Sequence, residues 1–157
     1  MNRLKIIIMA LSLMSGVSSC IKDDRNNFLP DECVYLLESS HHEVKASEGR
    51  FGLVLIKSGK GLSSCDVTIK VDEDALNEYD TLNDMSLAVL PENVFTLSET
   101  SVHFGKSDFR KEVEVSWEPA ALSALLGISE YAIPLRLECR GLEADSERSV
   151  IIIQPVR

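Results

Sequence analysis

Cys20 is the residue best placed to do chemistry in this 157-residue sequence, because it directly follows the small residues Ser18 and Ser19. A cysteine after small residues is typical of the bacterial lipobox, in which a signal peptidase cuts before the cysteine and the thiol is acylated. We therefore predict cleavage between Ser19 and Cys20 and a lipid on the Cys20 sulfur. Each acyl methylene that enters a bilayer contributes about 0.8 kcal/mol, so two or three chains would hold the protein firmly on a membrane.

The residues that precede Cys20 have the features of an export signal. Arg3 and Lys5 come before an apolar run at residues 6–14. The run is shorter than the roughly 20 apolar residues that a membrane span needs, and it lacks the polar face of a core helix. The predicted organisation is a lipoprotein signal peptide at residues 1–19, a lipidated polar linker at residues 20–32 and one domain at residues 33–157.

The triplet Lys22, Asp23 and Asp24 follows the predicted lipid site. It resembles the Lys-acidic-acidic export tag of surface lipoproteins in Bacteroidetes. This resemblance predicts that the domain lies on the outer face of the outer membrane, where the lipid holds it. The alternative is the periplasmic face of the same membrane.

The charge balance limits the partners of the exported domain. The chain has 25 acidic and 16 basic residues, a net charge of −9. Loss of Arg3 and Lys5 with the signal leaves 14 basic residues against 25 acidic ones, or −11. Such an acidic surface disfavours nucleic acid and anionic lipid headgroups, whereas neutral partners such as glycans stay open. The roughly 138 residues after the signal suit one domain with its own core.

Three cysteines remain beside the predicted lipid site, namely Cys33, Cys65 and Cys139. An odd number leaves at least one thiol unpaired, and an oxidising compartment permits a disulfide between the others. Cys65 and Cys139 continue the apolar phase of their strands, so they form the candidate pair. The alternative is that all three are small buried hydrophobic residues. No Cys-x-x-Cys motif suggests a redox pair or a zinc site.

Polar and apolar residues alternate through most of the predicted domain, as in Val113, Val115 and Trp117 with their polar neighbours. Alternation of this kind is typical of antiparallel strands with one wet face. Short strands at near-regular spacing predict an all-β fold, an Ig-like antiparallel β-sandwich with one or two short helices. The predicted strands are residues 33–37, 51–57, 66–71, 94–97, 101–104, 111–117, 132–139 and 149–154.

Two helices are predicted between the strands. Asp72 or Asp74 can cap a helix through residues 75–79. Pro119 fits the first turn of a second helix at residues 119–126, and Gly127 fits its exit. The acidic stretch around Asp72 contains no glycine for the tight turn of a calcium loop, so helix capping and solvation explain it better.

The remaining candidates for chemistry are weak. His41 and His42 are adjacent, so on an extended chain they point in opposite directions and cannot easily share a metal; a solvated polar connection is the better interpretation. His103 is predicted to face outward from a strand. Residues 58–61 lack the rest of a P-loop and are predicted to form a hairpin turn. No Gly-x-Ser-x-Gly elbow occurs. We therefore predict no catalytic residue, no metal and no cofactor.

Trp117 is the single tryptophan and the candidate glycan platform, because aromatic rings stack on the apolar faces of sugars. It shares the phase of Val113 and Val115, so packing in the core or at its rim is the alternative. Few other rings are spare, and tight autonomous glycan binding is therefore not expected.

Four stretches, residues 71–79, 90–97, 113–115 and 131–137, together carry a family resemblance. In this order they resemble a Bacteroidetes domain of unknown function, number 1735 in that series, which often stands first in surface lipoproteins of glycan utilisation. The resemblance implies an Ig-like β-sandwich beside glycan-handling modules, and the family has no agreed catalytic motif to transfer. Because the chain stops at Arg157, just after its last predicted strand, we expect it to lack those modules.

Two functions follow as expectations. The leading one is a non-enzymatic, membrane-anchored surface lipoprotein whose domain binds or presents glycans for polysaccharide utilisation. The alternative is a structural module that joins other envelope proteins through a sheet face or edge and has no glycan affinity. A hydrolase with a non-obvious site is the third and least favoured hypothesis.

Replacing Cys20 with alanine removes the thiol that would be acylated. For Cys20→Ala we expect no incorporation of a fatty-acid analogue, and release or mislocalisation of the protein. Labelling followed by membrane fractionation of the native host measures both. Undiminished labelling of the variant would refute the lipobox assignment.

Overall fold

The structure is a computed structural model that describes residues 30–157. In this part of the chain it has eleven strands, two α-helices and a short 3-10 turn at Ala46–Glu48. The strands are β1 (Cys33–Leu36), β2 (Ser40–Lys45), β3 (Arg50–Lys57), β4 (Cys65–Val71), β5 (Ala88–Val89), β6 (Phe95–Leu97), β7 (Ser101–Phe104), β8 (Arg110–Trp117), β9 (Tyr131–Arg140), β10 (Glu143–Ala144) and β11 (Val150–Val156). The helices are α1 (Glu73–Asn83) and α2 (Pro119–Leu125).

The strands form two sheets that enclose the core. The first sheet has the order β10-β1-β3-β8-β6, and the second has the order β2-β11-β9-β4-β7 with β5 beside β9. Most neighbouring strands are antiparallel, which confirms the predicted all-β sandwich with two short helices. Three pairings are parallel, and the sequence did not predict them: β1 with β10, β2 with β11, and β5 with β9.

Alternation along the strands builds the core. Val113, Val115 and Trp117 point inward from β8 and are all buried, whereas the residues between them face solvent or the rim. The apolar run 151–153 of β11 is buried throughout. Strand β11 lies between β2 and β9, and such a central position allows both faces of a strand to be buried.

Strand β2 corrects the prediction of a solvated connection for His41 and His42. Both residues lie in a strand that pairs parallel with β11, with His41 opposite Ile152. The His41 ring hydrogen-bonds Gln154 (Nε2 to Oε1, 2.7 Å) and stacks on Tyr79 with 5.1 Å between the ring centroids. The polar sequence of β2 does not indicate this pairing, because its partner lies more than a hundred residues away in the chain.

Residues 58–61 also differ from the prediction of a hairpin turn. Strands β3 and β4 lie in different sheets, so this segment crosses the sandwich. Gly59 and Gly61 have φ angles of +90° and +71°, which only glycine adopts readily. The glycines thus mark a true turn, but the type of a turn does not decide which sheet the next strand joins.

Helix α1 covers part of the outer face of the second sheet. Leu76 of α1 packs there against Ala132 and Ile152, in a cluster separate from the main core. The Asp72 carboxylate accepts a hydrogen bond from the Ala75 amide (3.1 Å). Of the two predicted caps, Asp72 and Asp74, it is therefore Asp72 that caps α1.

Helix α2 has Pro119 in its first turn, as predicted, and extends to Leu125. Proline suits this position because its missing amide hydrogen would be unpaired there in any case. Within residues 30–157, no helix combines the length and the apolar character needed to cross a membrane.

The chain enters and leaves the sandwich at opposite ends. Cys33 lies beside Ser58, whose Oγ accepts a hydrogen bond from the Cys33 amide (3.2 Å), at the end where β3 finishes. Val156 lies opposite Lys45, at the end where the chain turns into the start of β3. The length of β3 separates these positions by about 27 Å. We call them the entry end and the exit end.

Lys57 holds the entry end together. Its side chain is 1% exposed, and Nζ donates to the carbonyl oxygens of Ser63 (2.8 Å), Gly105 (2.5 Å) and Lys106 (3.0 Å). These bonds join β3 to the crossing segment and to the turn between β7 and β8. A buried ammonium group is tolerated only with such a set of acceptors.

Replacing Lys57 with methionine keeps the aliphatic stem but removes all three donors. We expect Lys57→Met to lower the free energy of unfolding by about 3 kcal/mol, because three carbonyl oxygens lose the hydrogen-bond donor that they share. Lys60→Met, at an exposed position, is the control and should change it by less than about 0.5 kcal/mol. Urea denaturation measures both values, and equal stabilities for the two variants would contradict the role of Lys57.

Candidate functional site

The predicted lipid site and export tag lie outside the residues that the structure describes. This applies to Ser19, to Cys20 and to the triplet Lys22, Asp23 and Asp24, all of which stay predictions. The candidate glycan platform and the candidate disulfide fall within residues 30–157, and the structure places both.

Trp117 belongs to the core of the sandwich. It is 6% exposed, and its Nε1 donates a hydrogen bond to the carbonyl oxygen of Ala46 (2.8 Å). The ring packs opposite Phe95 of the neighbouring strand β6. A ring so enclosed offers no face to a sugar, because the inward phase of β8 directs it into the core. The structure therefore contradicts the prediction that Trp117 is a glycan platform and supports the alternative, packing in the core.

Cys33, Cys65 and Cys139 are free thiols in the structure. The register of β4 against β9 sets Cys139 opposite Val67, so Cys65 is its diagonal neighbour. Diagonal Cα atoms are about 7–8 Å apart, which is too far for a disulfide without backbone movement. Burial, with smaller effects of Cys65 and Cys33, raises the pKa of Cys139 to about 11. The structure thus contradicts the predicted disulfide between Cys65 and Cys139. It favours the alternative, in which the cysteines are small, unreactive side chains.

A shallow groove on the outer face of the second sheet is one candidate site. We call it the polar groove; it has a volume of about 550 Å³ and extends over β4, β7 and β9. It exists because Val67 and Ile69 of β4 point into the core, so the alternating residues Asp66, Thr68 and Lys70 point outward. The lining residues are Asp66, Thr68, Lys70, Ser101, Glu138, Cys139 and Arg140.

Charged side chains of the polar groove form pairs between neighbouring strands. Lys70 Nζ lies 2.5 Å from Glu138 Oε2, and Asp66 Oδ1 lies 2.7 Å from His103 Nδ1. All four side chains are more than half exposed, as was predicted for His103. Exposed pairs contribute little to stability, so their hydrogen-bonding groups are free to exchange partners. The groove can therefore offer donors and acceptors to a ligand rich in hydroxyl groups.

A second groove lies between free edges of the two sheets. It has a volume of about 500 Å³, and we call it the edge groove. Strand β7 pairs with β4 only up to Thr68, followed by one hydrogen bond from the Ile69 amide to the Thr100 carbonyl oxygen (2.9 Å). The last residues of β4 therefore face the groove, with the sheet-edge strand β6 opposite. The lining residues are Ile69, Lys70, Val71, Glu92, Phe95, Thr96, Leu97 and Thr100.

Asp72 ties α1 to the second sheet beside the polar groove. Its carboxylate pairs with Arg136 of β9 and caps α1. Burial raises the pKa of Asp72, but the hydrogen bonds from Arg136 and from the Ala75 amide outweigh burial and hold the pKa below its usual range. The acidic stretch thus starts a helix. Between Pro30 and Arg157, no group of three or more His, Cys, Asp or Glu residues is arranged to hold a metal ion.

Sequence reasoning predicted a wet face along β4 but missed both grooves. The signal for that face was the alternation of Thr68 and Lys70 with apolar residues. The neighbours that complete the polar groove come from distant positions, since Thr68 lies between Ser101 of β7 and Glu138 of β9. No local pattern states which strands will flank β4.

Comparisons with known proteins indicate the type of domain. A family model of N-terminal domains matches residues 28–141 of the chain. No curated protein matches the chain.

Several solved structures from Bacteroides share the fold. A proposed carbohydrate-binding protein from Bacteroides ovatus has a TM-score of 0.64 at 20% identity, over 80% of this chain and 38% of its own. A two-domain protein of unknown function from Bacteroides fragilis has a TM-score of 0.61 at 11% identity, over 79% and 45%.

A multidomain protein from Bacteroides ovatus that includes the domain of unknown function 1735 has a TM-score of 0.56 at 13% identity, over 78% of this chain and 43% of its own. The present chain thus spans less than half the length of each of these three proteins. At these identities the similarity establishes the fold.

Replacing Asp72 with asparagine keeps a capping oxygen but removes the charge that pairs with Arg136. Because folding lowers the pKa of Asp72, its carboxylate stabilises the protein above the unfolded value of about 3.9, and this contribution is lost as the pH falls through the folded value. We expect Asp72→Asn to lower the free energy of unfolding by about 1 kcal/mol at neutral pH. Urea denaturation at several pH values measures this difference.

The difference should disappear in acid, below the folded pKa of Asp72. Asp74→Asn is the matched control, since Asp74 is exposed and its side chain caps nothing. A deficit of Asp72→Asn that stays constant into strong acid would contradict the assigned ion pair.

Proposed function

Because the chain belongs to this family of N-terminal domains, the Bacteroidetes domain of unknown function 1735, we propose that it is a non-enzymatic accessory domain of glycan utilisation. In this proposal a lipid on Cys20 anchors it to the outer membrane with the domain at the cell surface. The domain then binds glycans or presents a partner that handles them.

The polar groove is the observation that carries the proposal of glycan binding. Sugar hydroxyl groups donate and accept hydrogen bonds, and bonds to charged side chains are the stronger ones. The groove supplies acceptors from Asp66 and Glu138, donors from Lys70 and Arg140, and a hydroxyl group from Thr68. These side chains stand on paired strands, so their spacing is set by the sheet. The shared fold with a proposed carbohydrate-binding protein supports the same class of ligand.

The composition of the polar groove also sets the expected affinity. No aromatic side chain is among its lining residues, so a sugar would gain hydrogen bonds there without ring stacking. Each such bond contributes about 0.5–1.5 kcal/mol after competition with water. A few of them give dissociation constants between roughly micromolar and millimolar. This range suits capture of a repetitive polysaccharide at a surface crowded with binding sites.

The opposite positions of the entry and exit ends support the presenting role. A lipid-bearing segment would join the sandwich at the entry end, so an upright domain would hold its exit end about 27 Å farther from the membrane. The related structures are more than twice as long as the part that resembles this chain. A domain or partner at the exit end would thus be held outward, toward substrate.

The arrangement of the carboxylates supports a non-enzymatic role. Glycosidases need two carboxyl groups that face each other across a cleft. In the polar groove, Glu138 and Asp66 lie on an open face and pair with Lys70 and His103 instead.

The edge groove favours a second function, a protein-interaction module of the cell envelope. The free edge of a sheet presents backbone groups that pair with an added strand. Val71 and Leu97 are half-buried on the two sides of this groove and could contact alternate side chains of that strand. This function needs no affinity for glycans.

Isothermal titration of the exported domain against host and plant polysaccharides tests the leading proposal. We expect Glu138→Gln to weaken glycan binding about 5- to 10-fold, because a charged acceptor and its pairing with Lys70 are lost. Glu114→Gln is the matched control: this carboxylate is exposed on β8 in the other sheet, and its loss should leave the dissociation constant unchanged.

Absence of binding across a broad panel would reject the proposal of glycan binding. Crosslinking in intact cells then decides the second function. A stoichiometric envelope partner that is lost in Leu97→Asp would support the edge groove as its binding site, whereas recovery of the lipoprotein alone would reject it.

A further inference from the structure

Two large apolar side chains are exposed together at the entry end. Leu62 is 66% exposed and Phe109 is 45% exposed. They are close together, because the Phe109 ring lies so near Gly61 that a Cβ there would approach Phe109 Cζ to 2.7 Å. Scattered exposed leucines are ordinary on protein surfaces, but an adjacent leucine and phenylalanine at the tip of a fold form a contact surface.

This tip lies where the chain joins the predicted lipid-bearing linker. The Glu32 carboxylate accepts a hydrogen bond from the Leu62 amide (2.6 Å), and Glu32 is two residues after Pro30, where the described fold begins. Only residues 21–29 separate Pro30 from Cys20. Even a fully extended chain of this length spans at most about 35 Å, so a lipid on Cys20 keeps the tip near the bilayer.

Two exposed lysines lie at the tip, near the exposed carboxylate of Asp31, although the protein as a whole is acidic. Lys60 and Lys106 are exposed, and neither forms an ion pair within the described part of the chain. Two other carboxylates nearby are already occupied: Asp108 pairs with Lys111 (3.1 Å), and Glu32 accepts from the backbone. The two lysines are therefore available to phosphate groups.

Hydrogen bonds from Lys57 tie the tip to β3. Lys57 Nζ holds the crossing segment through the Ser63 carbonyl oxygen and the β7–β8 turn through that of Lys106. The same ammonium lies 5.6 Å from the centroid of the Phe109 ring. The two loops that carry Leu62 and Phe109 are thus both bonded to β3, which reduces the ordering entropy that an apolar contact there would cost.

We propose that this tip, formed by Leu62, Phe109, Lys60 and Lys106, rests in the interfacial layer of the membrane that holds the lipid on Cys20. The inference rests on the lipid anchor of the proposed function. Apolar side chains enter the boundary between headgroups and acyl chains, and the lysines contact lipid phosphates. Because the anchor keeps the tip at high local concentration, a weak contact is sufficient.

An upright orientation follows from this contact. With the entry end on the membrane, the exit end points away from the bilayer. The acidic remainder of the domain is repelled by anionic headgroups, which adds to the same orientation. The polar groove on the side of the sandwich then stays open to ligands from outside.

Fluorescence quenching of the intact lipoprotein in vesicles tests the inference. The mature protein is reconstituted into phosphatidylcholine–phosphatidylglycerol vesicles that contain lipids with a quencher near the headgroup. Leu62→Trp and Phe109→Trp each place an indole at the tip, and Ile128→Trp is the control, since Ile128 is 82% exposed in the loop between α2 and β9. The enclosed Trp117 gives the same background in all three variants.

We expect each tip variant to lose roughly half of its added emission and to shift it to shorter wavelength, as for a ring at interfacial depth. The Ile128→Trp emission should not change. Equal quenching at the tip and at Ile128, in protein that floats with the vesicles, would overturn this inference alone. Failure of the unsubstituted protein to float would overturn the lipid anchor, and with it this inference.

Discussion

The alternation of side chains along β4 is the constraint on which both grooves depend. Successive residues of a strand point to opposite faces, so Val67 and Ile69 fill the core while Thr68 and Lys70 line the polar groove. A shift of one residue against β9 would exchange the two sets and bury charge. Core packing therefore sets the register, and the register in turn sets the spacing of the polar side chains outside. Asp72 extends this control to α1, which it caps directly after β4 ends.

Lys57 gives the sandwich a defined entry end. A buried ammonium group without a carboxylate partner is unusual, and here three carbonyl oxygens from two loops replace one. The bonds join both loops to β3. This arrangement fixes the positions of the exposed side chains Leu62 and Phe109. The buried ammonium group of Lys57 therefore also supports the surface that we propose to contact the membrane.

The accessory role that we propose needs a scaffold more than an active site. The present domain has the properties of such a scaffold. Its entry and exit ends lie at opposite ends of the sandwich, the outer face of one sheet has paired but exposed charges, and one sheet edge has no strand paired to it in the described part of the chain. Glu138 and Lys70 illustrate the principle, because an exposed pair that contributes little to folding can be used for recognition at little cost in stability. Trp117, by contrast, is committed to the core.

The sequence by itself determined the features that are written locally. Strand alternation and the helix start signals at Asp72 and Pro119 identify a β-sandwich with two short helices. The prediction of a lipid anchor rests entirely on Cys20 and the residues that precede it. Only the tertiary structure decided the parallel pairing of β2 with β11, the crossing after β3, and the diagonal placement of Cys65 and Cys139. The reason is physical: periodicity records which face a residue takes, whereas pairing and register are set by contacts between residues far apart in the chain.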